Sequence, residues 1–182
     1  SRELPMPILT SITSLGQAHA TLEHCLTRLV SFTQQQQATG ARSTQTTIIV
    51  SERHYSYLPW LERWEKAFAT YLAAAMPTMK EDDFMRSRVL KANHLLCTVL
   101  ASITSLEPTA WDRFESEFKA IVELSGAVLR SKRKTSTPTR DAPSANASAP
   151  KVGLGMGVSE PLYAVIARCN NAEIRTQAIA LL

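Results

Sequence analysis

Cysteine is scarce. Three residues, Cys25, Cys97 and Cys169, stand far apart in a chain of 182 with no Cys-x-x-Cys pair among them. An odd, dispersed set supports neither a disulfide framework nor a zinc site. Each lies within an apolar helical pattern, so ordinary buried thiols in a reducing compartment are expected. No apolar run approaches the about 18 residues that a membrane span requires. The N-terminus shows no charged stretch followed by a compact apolar block, the mark of a secretory signal. One-sign charge is missing too. Lys and Arg together number 20 against 16 acidic residues, and much of the excess sits in Arg130–Lys134 rather than over a face or helix, as a nucleic-acid grip would need.

Hydrophobic residues make up 45% and charged residues 20%, an ordinary globular balance. Helical periodicity dominates. Leu61, Trp64, Phe68, Tyr71, Leu72 and Ala75 recur at spacings of three and four. Beyond Pro77, Phe84, Val89, Leu95, Leu96, Val99, Leu100 and Ile103 form a second, wider stripe. The short polar break between them predicts an antiparallel hairpin. Lys80-Glu81-Asp82-Asp83 puts acidic groups at the second helix's N-terminus, where the helix dipole favours them.

Before the hairpin, residues 11–37 predict a helix with Leu15, Ala18, Leu22, Cys25, Leu26, Leu29 and Phe32 on one face. Gly16 weakens its start by about 1 kcal/mol relative to Ala. Residues 38–56, rich in Ser, Thr and Gly, read as a loop; Thr46–Val50 is β-prone but has no partner strand. Pro59 is expected near the start of the next helix, where a missing N–H costs little. After the hairpin, Thr109 with Asp112 three residues on predicts a capping box for a helix carrying Trp111, Phe114, Phe118, Ile121, Val122 and Val128. The resulting division is an all-α helical body over 1–130, a disordered Ser/Thr/Pro/Ala linker over 131–157, and a helical segment over 158–182. In that last segment Asn170-Asn171 are placed to cap the final helix. The chain ends inside a helical pattern and reads as a piece of something longer.

Chemistry-bearing motifs are few. Gly153-Leu154-Gly155-Met156-Gly157 lacks the Lys-Ser/Thr and the preceding strand of a phosphate loop, and reads as a hinge. His19 and His24 are five apart and do not share a face as a metal-binding pair would; His54 and His94 have no ligand partners in sequence. Asp82 and Asp83 diverge on a helix. No serine sits in a nucleophile setting. No catalytic, cofactor-binding or metal residue is therefore assigned, and the chain is read as a non-enzyme. Arg130, Lys132, Arg133 and Lys134 form the one run with a partner reading, a nuclear-import signal or a weak nucleic-acid contact; the plainer reading is a solvated helix end.

Three blocks carry a resemblance. Ser11-Ile12-Thr13-Ser14-Leu15-Gly16-Gln17-Ala18 with Leu22-Glu23 is the first. Trp60-Leu61-Glu62-Arg63-Trp64-Glu65-Lys66-Ala67-Phe68 with Tyr71-Leu72, followed by Arg88-Val89-Leu90-Lys91-Ala92-Asn93-His94, is the second. The third and most specific is the tail: Glu160-Pro161-Leu162-Tyr163, Arg168-Cys169 and Ile174-Arg175-Thr176-Gln177-Ala178-Ile179-Ala180-Leu181-Leu182. In this order they resemble the regulatory region of fungal zinc-cluster transcription factors, the class with a binuclear six-cysteine DNA-binding module. Departures are Arg168 where Lys is usual and Asn170-Asn171 where Arg-Asp is commoner, and the six-cysteine cluster is absent.

The resemblance implies a regulatory domain that modulates RNA polymerase II transcription through protein contacts, in the nucleus, for a metabolic or secondary-metabolite pathway. Zinc and DNA contact would belong to a module outside this chain, which needs no cofactor of its own. The implied partners are other parts of the full-length factor and the transcription machinery. The alternative is a stand-alone helical interaction module, or a truncated gene product without transcriptional activity, with the cytoplasm as the alternative location.

Overall fold

The computed structural model describes residues 6–38, 44–103, 107–135 and 156–182, with side chains left aside for 32–38, 44–55 and 135. The described residues form six α-helices and no strand, an all-α fold: α1 Leu15–Ala38, α2 Thr44–Ala75, α3 Glu81–Ser102, α4 Glu115–Thr135, α5 Ser159–Arg168 and α6 Ala172–Leu181. Met76–Thr78 and Pro108–Phe114 are 3-10 turns. No described helix is long and apolar enough to cross a membrane.

Each start has a local cause. Ser14 accepts the Gln17 N–H through Oγ at 3.0 Å, and the Gln17 side chain reaches back to the Thr13 N–H at 2.8 Å, so α1 begins at Leu15 despite Gly16. Asp83 accepts the Lys80 N–H at 3.2 Å, as the acidic first turn of α3 suggested. Asn171 caps α6, its Oδ1 accepting from Glu173 N–H at 3.0 Å and Ile174 N–H at 3.2 Å.

Three local expectations need correction. The segment read as a loop over 38–56 is helical from Thr44, so Pro59 lies inside α2 rather than near its start. An interior proline removes one backbone hydrogen bond and crowds the preceding turn. Trp60, Leu61 and Trp64, all buried just after it, supply the tertiary packing that outweighs local preference there. The capping box at Thr109–Asp112 does not form: these residues lie in the 3-10 turn, and Asp112 accepts instead from Asn170 Nδ2 at 2.6 Å. Finally, α4 does not stop at Arg130 but runs to Thr135, its last-turn cations complementing the helix dipole. The linker expected over 131–157 therefore starts on helix. Its residues 136–155 lie outside the described ones.

Helix α3 is the centre. It packs against α1, α2, α4 and α5, and from Ala92 to Ala101 all but Leu95 and Thr98 are buried. A helix covered on every side carries apolar residues all round rather than on one stripe. With α2 it forms the expected hairpin. With α4 it is again antiparallel: Ser131 Oγ donates to Glu81 Oε1 at 3.2 Å at one end, and Arg113 reaches the Ser102 carbonyl at the other. On the α1 side, Cys25 and Cys97 lie side by side, both fully buried. The lead-in residues fold over this body, the Pro7 carbonyl accepting from Trp60 Nε1 at 3.0 Å.

The tail is part of the same core. Val158, Leu162, Val165, Cys169, Ile174 and Ala178 are buried in one cluster with the other helices. Asn93, wholly buried on α3, donates through Nδ2 to the Val89 carbonyl and to the Gly157 carbonyl, both at 2.9 Å. Arg168 lies over the Trp111 ring at 4.9 Å, and Asn170 and Asn171 donate to the Pro108 carbonyl and to Glu115 Oε1 at 2.9 Å.

Replacing Asn171 by Ala removes the α6 cap and its bond to Glu115. A loss of about 1 kcal/mol in denaturant unfolding is expected. Trp64→Ala, which empties a fully buried site, is expected to cost about 3–5 kcal/mol in the same measurement.

Candidate functional site

A cleft of about 520 Å³ opens along the α2–α3 hairpin, with Leu124 of α4 closing one side. That size is ordinary for a small-molecule pocket, about 300–1,000 Å³. Helical spacing builds it. Trp64, Phe68 and Leu72 sit on successive turns of α2, Met76 follows at the start of the 3-10 turn, and Lys91, His94 and Leu95 face them from α3.

The floor is a stack of rings. Trp64 lies 4.7 Å from Phe68 and 5.2 Å from the His94 imidazole, with interplanar angles of 30° and 16°. Trp64 Nε1 donates outward to Thr21 Oγ1 at 3.1 Å and the Ala18 carbonyl at 3.3 Å, which ties the floor to α1. His94 Nε2 lies 3.0 Å from the Leu61 carbonyl. A carbonyl only accepts, so Nε2 carries the proton and Nδ1 of the neutral ring is left as an acceptor. Burial lowers the His94 pKa, opposed in part by the Leu61 carbonyl and by Glu65. The imidazole is thus neutral at pH 7.

The walls are apolar and partly open. Ala69 and Ala73 are exposed beside the half-buried Leu72, and Met76 is 55% exposed. Glu65 on α2 and Lys91 on α3 provide the charge at the mouth; both side chains are exposed and neither joins an ion pair among the described residues. A smaller cavity of about 340 Å³ lies beneath the lead-in segment beside Arg63 and Lys66, and holds no buried titratable group.

Of the residues singled out in the sequence for their chemistry, His94 lines this cleft and the others do not. Arg130, Lys132, Arg133 and Lys134 are exposed on the last turns of α4. Within the glycine run only Met156 and Gly157 are described, and Gly157 serves as the acceptor for Asn93. His19 pairs with Glu23 one turn on, at 3.3 Å. His24 is partly buried with its Nε2 unpartnered, and its pKa is lowered by burial and then by Arg28. The His54 side chain lies outside the described ones. All three cysteines are buried free thiols, and burial raises the pKa of Cys97, in contact with Cys25, and of Cys169. A raised pKa keeps both as unreactive thiols. Among the described residues no group of three or more His, Cys, Asp or Glu is placed to hold a metal ion. Sequence periodicity places Trp64, Phe68 and Leu72 on the apolar face of their helix. It held no sign that the helices leave a gap between them.

No family model, curated protein or solved structure matches the chain.

Because His94 is less basic folded than the ordinary 6.5, the unfolded chain binds the proton more readily. The stabilisation is complete above about pH 6.5 and is lost as pH falls through that value towards the lower folded pKa. Thermal unfolding is expected at progressively lower temperature over that descent, and His94→Gln is expected to flatten the dependence. A residual slope of the same sign belongs to His24.

Proposed function

We propose that this chain is a helical regulatory domain of a fungal zinc-cluster transcription factor, acting on RNA polymerase II transcription through protein contacts. DNA recognition, with its zinc, belongs to a module outside the chain, and no cofactor is assigned to this part. One observation supports the reading above others: the three blocks that carry the resemblance converge. Trp64 of the second block bonds to Ala18 and Thr21 at the first. Asn93 of the same block reaches the Gly157 carbonyl at the foot of the third. A shared structural body accounts for why those residue types recur together, which helical patterning alone does not require.

Surfaces for protein contacts are present in the same tail. Tyr163, Ile179 and Leu182 are 60%, 55% and 56% exposed, large apolar side chains on α5 and at α6. Solvent-facing aromatic and aliphatic residues of this kind are used at protein interfaces. The cations of Arg130–Lys134 stand on the exposed end of α4, where an import receptor reads such runs.

The experiment is a fusion of residues 1–182 to a heterologous DNA-binding domain above a reporter in a fungal host. Reporter output is expected to change several-fold, and Tyr163→Ala with Ile179→Ala to reduce the change. An output equal to that of the DNA-binding domain alone overturns the transcriptional reading and leaves a stand-alone helical module. In parallel, a fluorescent fusion of residues 125–140 is expected to accumulate in nuclei; even nuclear and cytoplasmic signal counts against the import run.

A further inference from the structure

The second cavity, between the lead-in segment and α2, is one-sided in charge. The segment is pinned at both ends. The Pro7 carbonyl accepts from Trp60 Nε1 at 3.0 Å, the Ser11 carbonyl accepts from Gln17 Nε2 at 3.1 Å, and Ile12 is buried. Held in this way, it stands off from α2 and leaves a space of about 340 Å³. Arg63 and Lys66, one turn apart on α2, line one wall, and Thr10 and Ser11 line the other.

The polar side chains of that lining are donors or hydroxyls, and none is a carboxylate. Thr70 spends its hydroxyl proton on the Lys66 carbonyl at 3.0 Å. The side chains of Thr10, Ser11, Arg63 and Lys66 are exposed and take no hydrogen-bond or ion-pair partner among the described residues. Nor does the chain across from α2 supply an acid, since Met6 to Leu22 contains none. Glu62, one residue before Arg63, lies outside the lining. Two like charges with no counter-charge in the wall attract an anion and repel a cation. A monoanion matches one of the two. A phosphomonoester, with a charge of about −1.5 to −2 near neutral pH and three acceptor oxygens, matches both and takes the hydroxyls as well. The forked guanidinium of Arg63 suits paired phosphate oxygens, and Lys66 acts as a point charge beside it. The half-buried Leu9 and Ala67 complete the lining with apolar surface, which inorganic phosphate leaves unused.

We propose that the pocket between the lead-in segment and α2 binds a small organic phosphomonoester, its phosphate against Arg63, Lys66 and the hydroxyls of Thr10 and Ser11, its carbon part beside Leu9 and Ala67. The inference goes beyond the regulatory reading and concerns binding alone. A reporter that ignores the chain leaves it standing, and failed binding leaves the transcriptional reading standing.

The probes are phenyl phosphate, phenyl sulfate and inorganic phosphate, titrated calorimetrically into the purified full chain at low ionic strength, where exposed charges are least screened. Saturable binding of phenyl phosphate is expected. Phenyl sulfate, a monoanion of the same shape, is expected to bind about fivefold more weakly, the worth of one exposed charge pair. Inorganic phosphate is expected to be weaker than phenyl phosphate as well. Arg63→Gln and Lys66→Gln, both at exposed helix positions, are each expected to weaken phenyl phosphate about fivefold on the same grounds. Lys91→Gln, an exposed cation lining the other cleft, is expected to leave it unchanged. The proposal is overturned by an absence of saturable phenyl phosphate binding, or by a sulfate or inorganic phosphate that binds as tightly. A loss in Lys91→Gln equal to that in Arg63→Gln overturns it too, because binding would then follow net charge rather than this pocket. Should Arg63→Gln fail to fold, undiminished binding in Lys66→Gln overturns it instead.

Discussion

An indole N–H taken out of water must find an acceptor, and Trp64 is all but completely buried. Its acceptors come from another helix, the Ala18 carbonyl and the Thr21 hydroxyl of α1. Its two faces are occupied by Phe68 from its own helix and by His94 from α3. His94 is held in turn by the Leu61 carbonyl. One side chain therefore fixes three helices at once, and the remaining architecture follows from it. Once α1 and α2 are both locked to α3, the free sides of α3 are those that α4 and α5 cover. The apolar, nearly continuous burial of Ala92–Ala101 is the consequence of that crowding.

The hairpin seam and the final cap were legible because their causes are local. Trp64 and Phe68 follow the helical period, and Asn171 stands where a cap is needed. The helical start of α2 was not legible. Thr46–Val50 is β-branched and Pro59 breaks a helix locally, yet one continuous helix spans both. Its stability comes from Trp60, Leu61 and Trp64 further along, and propensity is a weak prior beside such packing. Asp112 failed as a capping residue for a similar reason. Its carboxylate is taken by Asn170, 58 residues away, a bond no short-range pattern contains. The cleft was invisible on the same grounds. Each lining residue reads as ordinary core or ordinary surface, and the space between them depends on how three helices splay.

The tail is fastened differently from the hairpin. Hydrophobic burial brings Leu162, Val165 and Ile174 into the core, but polar bonds set where they land: Asn93 to Gly157, Asn170 to Pro108 and Asp112, Asn171 to Glu115. Apolar contact alone is tolerant of sliding, whereas these bonds hold in one register. Four buried polar atoms find no protein partner among the described residues: His24 Nε2, Asn93 Oδ1, Trp111 Nε1 and Ser125 Oγ. They are spread over α1, α3, the 3-10 turn before α4 and α4, so the hairpin side and the tail side each carry some.

A ligand shifts a conformational equilibrium only by its unequal affinity for the two states. The floor of the cleft is the ring stack that holds α1, so a ligand bound against it favours the state in which Trp64 stays docked on Ala18 and Thr21. Asn93, next to His94 and about 100° round the same turn of α3, donates to the Gly157 carbonyl. A small displacement of α3 at His94 thus bears on the tail's anchoring bond without any intervening chain of residues.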